Sequence, residues 1–117
     1  MNATELMCRL TEYGADTDGI RERFMQDAEF YAECFARFLE DKNFCLLGQA
    51  IEQEDGKAAF AAAHSIKGLA GNMGLTALQG AVSELVELLR AGRTQGLRAQ
   101  YAAVLTELDR LNKLYRD

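Results

Sequence analysis

The stretch "DGKAAFAAAHSIKGLAGNMG", Asp55 to Gly74, decides the fold, because its second half has the look of a glycine-rich loop and its first half that of a helix. A phosphate-cradling loop follows a strand, and nothing before Gly68 has the alternation of a strand. Alanines dominate instead, and Asp55 is placed to cap a helix. The spacing predicts a helix from Gly56 to about Asn72, with Gly74 in the left-handed position that ends it.

Outward from this helix the pattern stays helical. Residues 3–12 read as a short amphipathic helix stopped by Gly14. Asp16, Thr17 or Asp18 can cap a second short helix over Gly19–Met25. Asp27 then caps "AEFYAECFARFLED", whose Phe30, Tyr31, Cys34, Phe35, Phe38 and Leu39 form a helical apolar stripe, better read as core than as a cofactor box. A further helix spans about Phe44–Gln53. Thr76 and Gln79 make a T-x-x-Q capping box for a helix with Leu78, Val82, Leu85 and Leu89 on one face, closed by Gly92. The last helix is expected over Arg93–Tyr115. The sum is all-α: an antiparallel four-helix bundle, up-down-up-down, preceded by one or two short N-terminal helices. The chain reads as one domain over 1–117, with short helices in 1–26 and the bundle in 27–117.

Composition narrows the function. At 117 residues, 49% apolar and 26% charged, the chain can bury a core without staples. Its 18 acidic and 13 basic residues, with no basic run, disfavour nucleic acid, whose phosphates need Lys and Arg. No stretch approaches the roughly 20 apolar residues of a spanning helix, and the N-terminus lacks the basic end and apolar run of a signal peptide. A cytoplasmic protein is expected. Cys8, Cys34 and Cys45 each fall in an apolar-periodic segment, which predicts buried reduced thiols; no CxxC-type spacing supports zinc.

His64 is the only histidine. At about 100° per residue, Lys67, Gly68 and Gly71 share its helix face, and Phe60 and Lys57 lie one and two turns earlier. Ala59, Ala62, Ile66, Leu69, Ala70 and Met73 form the opposite face, predicted to pack inward. Each glycine inside a helix costs roughly 1 kcal/mol relative to alanine. Close approach of another body would offset that, whether a partner or a neighbouring helix of the bundle. An accessible imidazole offers a ring lone pair as nucleophile. A phosphoryl group captured there brings negative charge that Lys67 is placed to neutralise.

"AAHSIKGLAGNMG" resembles the signature of histidine-containing phosphotransfer domains, a histidine followed by Lys-Gly and then by a small residue, Asn and Gly. "GIRERFMQDAEFYAECFARFLED" resembles the helical segment before that signature in bacterial members, and "LTALQGAVSELVELLR" the helix after it. The resemblance implies that His64 accepts the phosphoryl group and Lys67 steadies it. Gly68 and Gly71 match the small positions where a response-regulator receiver domain comes close. It implies a four-helix bundle passing phosphoryl groups between receivers, or from a sensor or hybrid histidine kinase, with no ATP-dependent kinase activity of its own. No cofactor is expected on this domain; Mg2+ would sit in the partner receiver. Related domains carry a polar side chain on the next helix, for which Gln79 and Ser83 are the candidates.

Phe60 is expected to form part of a hydrophobic patch for the receiver rather than a locally covered aromatic, and Lys57 to add steering toward an acidic pocket. The family implies a monomer by default; the initial Met and compact length suggest a free-standing protein, and a piece cut from a hybrid kinase would read the same way. Two other readings stand beside the carrier: an adaptor that binds receivers without phosphotransfer, and a metal or hydrolytic enzyme built on His64. Intact His64 and Lys67 oppose the adaptor. The lack of a second histidine or a carboxylate cluster opposes the enzyme.

Overall fold

Side-chain oxygens begin four of the helices: Asn2, Asp16, Asp27 and Asp55 each accept the backbone N–H three residues on, at 2.8–3.1 Å. Each such cap stabilises its helix by about 1 kcal/mol. The computed structural model describes residues 1–116 and contains α1 (Ala3–Tyr13), α2 (Thr17–Arg23), α3 (Ala28–Leu39), α4 (Asn43–Glu52), α5 (Gly56–Asn72), α6 (Thr76–Arg90) and α7 (Arg98–Arg116). The described residues form no strand.

α5 packs between α4 and α6, and α6 packs on α7. Short turns make these pairs antiparallel. α3 and α4 together supply the remaining leg of the bundle, broken at Glu40–Lys42, where Phe38 and Phe44 meet edge to face at 5.5 Å. α7 runs antiparallel along that leg. The Tyr101 hydroxyl donates to the Phe44 carbonyl at 3.3 Å, and farther on the Tyr115 ring meets Phe35 at 5.6 Å. Gly48 on α4 makes room for Tyr101, since a Cβ there would lie 2.9 Å from the ring carbon Cζ. α1 covers α3 and α7 with Leu6, Met7 and Leu10, all buried. Among the described residues the core holds no buried polar or charged residue; Tyr31, Phe35, Leu47, Ile66, Leu78 and Leu85 lie at its centre.

Several expectations from the sequence need correction. α2 begins at Thr17, and Met25 and Gln26 lie beyond it with positive φ of 54° and 65°. The Thr76–Gln79 capping box does not form. Leu75 is the N-cap of α6, so Thr76 lies one residue inside the helix and its side chain accepts no cap bond; its hydroxyl instead donates to the Gly14 carbonyl at 3.2 Å. The last helix starts five residues later than expected, at Arg98. The Arg93 guanidinium donates to the carbonyls of Gln95 and Gly96, folding residues 93–96 into a turn that Gly96 completes with φ 69°. Leu69 is not on the inner face: it is 36% exposed, in a groove opening between α5 and α3. Cys8 and Cys45 are exposed rather than buried, and Cys34 is half-buried.

Candidate functional site

The inner face of α5 is Ala59, Ala62, Ala63, Ile66 and Ala70, all buried. Four of the five are alanine, which lets α4 and α6 come close and pushes every larger polar group of this helix outward. His64 stands on that outer face and is exposed. Its ring makes no hydrogen bond among the described residues, so neither nitrogen is committed.

Phe60, one turn earlier, stacks on the imidazole at 5.7 Å between centroids with 27° between planes. The Arg90 guanidinium, from the last turn of α6, lies over the same phenyl ring at 5.3 Å. Glu87 pairs with Arg90 at 3.5 Å on the solvent side. Phe60 is half-buried, so it is covered by its neighbours and also open at one edge. Lys67 is half-buried one turn beyond His64, and Lys57 is exposed at the start of the helix.

The two glycines differ. A Cβ added at Gly68 would meet nothing within 4 Å, so the backbone there is bare to solvent. At Gly71 the space is taken: a Cβ would lie 2.6 Å from Nε2 of Gln79, whose side chain reaches across from α6. The close approach expected at Gly71 is therefore already made inside the bundle. The Phe60–Arg90 and Gly71–Gln79 contacts fix one antiparallel register between α5 and α6, and that register sets half-buried Ser83 across from Lys67.

His64 thus rides a ridge with unlike flanks. Toward α6 the register places Lys67, Ser83, Gln79 and Arg90 along one seam, polar and with two cations. Toward α4 a groove of about 420 Å³ runs along Leu46, Ala58, Ala61 and Ser65 with no charged residue in its lining. In a chain that is 26% charged, this leaves an uncharged strip beside the exposed imidazole.

The far end of α5 is tied to other elements. Arg23 Nε donates to the Asn72 carbonyl at 3.0 Å, the Tyr31 hydroxyl to the Met73 carbonyl at 2.7 Å, and the Asp16 N–H to the Gly74 carbonyl at 2.9 Å. Burial raises the Tyr31 phenol well above the ordinary tyrosine value.

Sequence reading brought His64, Lys67, Gly68 and Phe60 together correctly on one face but missed Arg90 and Tyr31. Arg90 had a signal, since Gln79, Ser83 and Arg90 share one stripe of α6 at i, i+4 and i+11. Tyr31 had none, because its partner is a carbonyl far along the chain. Among the described residues no three His, Cys, Asp or Glu side chains gather as metal ligands, and no helix is long and apolar enough to cross a membrane.

Chemically, the face offers an uncommitted imidazole lone pair, an ammonium group one turn away and bare backbone at Gly68. The Hpt domain family model matches residues 20–114 of the chain. No curated protein matches it, and no solved structure does.

Proposed function

The chain belongs to the Hpt domain family, and from that premise we propose that it carries phosphoryl groups on His64 between receiver domains of a two-component phosphorelay. The observation that carries this reading is the exposed His64 ring with Lys67 one turn away and open space over Gly68.

In the proposed reaction an imidazole nitrogen of His64 attacks the phosphorus of a receiver's aspartyl phosphate in line. The P–N bond forms as the P–O bond breaks, and the aspartate leaves as a carboxylate. Delivery to a response regulator is the reverse, with a second receiver's aspartate as nucleophile. Lys67 neutralises the transferred group as a mobile point charge, and Ser83 and Arg90 lie along the same α5–α6 seam as further donors. Phe60 limits how far the imidazole can swing, so less orientation is lost in the transition state. Mg2+, expected in the receiver's acidic pocket, supplies charge neutralisation when bound there; this chain contributes no ligand to it.

The receiver docks over Gly68 and the uncharged α4–α5 groove, leaving the polar α5–α6 side for the phosphoryl group. Lys57 and Lys67 complement an acidic partner pocket. In this role the domain is a carrier with no ATP-dependent kinase activity, working in the cytoplasm as a monomer.

The experiment is to mix the full chain with each of a panel of phosphorylated receivers and Mg2+, and to follow protein-bound phosphate. Acid-labile, base-stable label that disappears in His64→Gln is expected. Binding without label from every receiver would replace the carrier by an adaptor, and metal-dependent turnover would replace it by an enzyme.

A further inference from the structure

We propose, resting on the phosphotransfer reading above, that Tyr31 is a positioning residue for transfer: together with Arg23 it secures the glycine-bearing end of α5, and so fixes the docking backbone at Gly68. Past His64, α5 contains Gly68 and Gly71 and ends at Asn72, with Gly74 two residues on in the left-handed region. Glycine is among the weakest helix formers, and the last carbonyls of any helix lack partners within it. Left alone, these final turns would fray.

They are not left alone. Three consecutive carbonyls, Asn72, Met73 and Gly74, take donors from three places: the Arg23 side chain on α2, the Tyr31 hydroxyl on α3 and the backbone N–H of Asp16. Arg23 also brings a positive charge to the negative end of the α5 dipole. Tyr31 cannot swing away from its acceptor. It is 0% exposed, with Phe24 edge-on at 5.0 Å and Phe35 at 6.1 Å. A core position facing only apolar neighbours would be served by phenylalanine. The hydroxyl has one protein acceptor here, the Met73 carbonyl, and that carbonyl belongs to the helix that carries His64.

The bare backbone at Gly68 and the ordered end of α5 are therefore linked: glycine opens the surface, and the tethers restore the order that glycine removes. His64 and Lys67 lie N-terminal to the glycines, where the helix is held by Asp55 and by buried alanines. Loss of the tethers should thus spare the imidazole and damage the surface a partner presses on.

Tyr31→Phe and, separately, Arg23→Gln test this in the full chain; the second alters an exposed side chain and leaves the core intact. Three measurements are made: amide exchange of residues 70–75 against 82–89 of α6, labelling of His64 by phosphoramidate, and transfer from the receiver that labels the unaltered protein fastest. Tyr31→Phe is expected to speed exchange at 70–75 by about tenfold and Arg23→Gln by about threefold, with α6 unchanged. Phosphoramidate labelling should stay within about twofold, while the receiver concentration for half-maximal transfer rises about threefold or more. Unchanged exchange at 70–75 in both variants overturns the proposal. So does faster exchange with unaltered receiver dependence, or a parallel fall in phosphoramidate labelling and transfer. If the unaltered protein takes no label at His64 from either donor, the phosphotransfer reading fails and the positioning role with it, while exchange still decides whether the tethers order α5.

Discussion

Phe60 and His64 lie ring on ring, 5.7 Å apart and 27° from parallel, with Arg90 5.3 Å above the phenyl. The stack restricts the imidazole without using either of its nitrogens. It also places Phe60 between the imidazole and a cation of the next helix. Phe60→Ala is expected to lower stability by about 1–2 kcal/mol in urea unfolding, below the cost of a fully buried phenylalanine, and to slow receiver-dependent transfer about tenfold. A stability loss with unaltered transfer would make Phe60 a covering residue only.

The two glycines of the site should respond in opposite ways. Alanine at Gly68 finds open space, so Gly68→Ala should raise stability by about 0.5–1 kcal/mol while weakening transfer from a receiver. At Gly71 the new Cβ must displace the Gln79 amide, so the helix-propensity gain is offset and Gly71→Ala should be close to neutral in stability. Paired urea curves and transfer rates check both. Equal behaviour of the two variants would contradict the distinction.

In the proposed transfer, Lys67 is expected to act through its charge. Lys67→Ala should slow label formation on His64 about tenfold to hundredfold, and Lys67→Arg should retain more of the rate, since the positive charge persists. Initial rates at low and high salt decide the matter, because the gap between the two variants should narrow as salt rises. A Lys67→Ala protein labelled at the unaltered rate would remove the lysine from the chemistry.

How much of this was legible beforehand follows from where each determinant lies. The starts of α3 and α5 were readable from Asp27 and Asp55, because each caps an N–H three residues away; at α2 three neighbouring residues could cap equally well, and Asp16 takes the place, so that the helix starts two residues earlier than expected. His64, Lys67 and Gly68 were readable because one helix repeat carries all three. Determinants spanning the fold were not readable. Thr76 carries a capping signature but bonds Gly14, and Gln79 leaves its expected cap to fill the space over Gly71. Leu97 continues an apolar stripe that predicts helix from Arg93, yet the Arg93 side chain bonds its own loop and delays α7 to Arg98. Leu69 sits on the calculated inner face of α5 but meets a groove, because the α3–α4 leg breaks at Glu40–Lys42 instead of following α5 along its length.

Alkaline pH should unfold the protein through its tyrosines. Burial, with the Glu107 carboxylate beside it, pushes Tyr13 up to about 12, and burial raises Tyr31 and Tyr101 as well. In the unfolded chain these phenols ionise near pH 10. Between pH 10 and 12 the unfolded state therefore binds fewer protons than the folded one, and stability falls as pH rises. Below pH 10 the contribution is fully present. Urea midpoints measured from pH 8 upward should hold steady to about 10 and then drop. Tyr13→Phe should flatten part of that drop, and a slope unchanged by it would show that Tyr13 ionises alike in both states.

The most direct measurement is to locate the phosphoryl group after the chain has met a phosphorylated receiver and Mg2+. Cleavage after Lys57 and Lys67 releases Ala58–Lys67, a peptide holding the one histidine of the chain and, next to it, Ser65. The predicted result is phosphate on this peptide that acid removes and base does not, and that is missing in His64→Gln. Phosphate on any other peptide, or an acid-stable ester on Ser65, would contradict it.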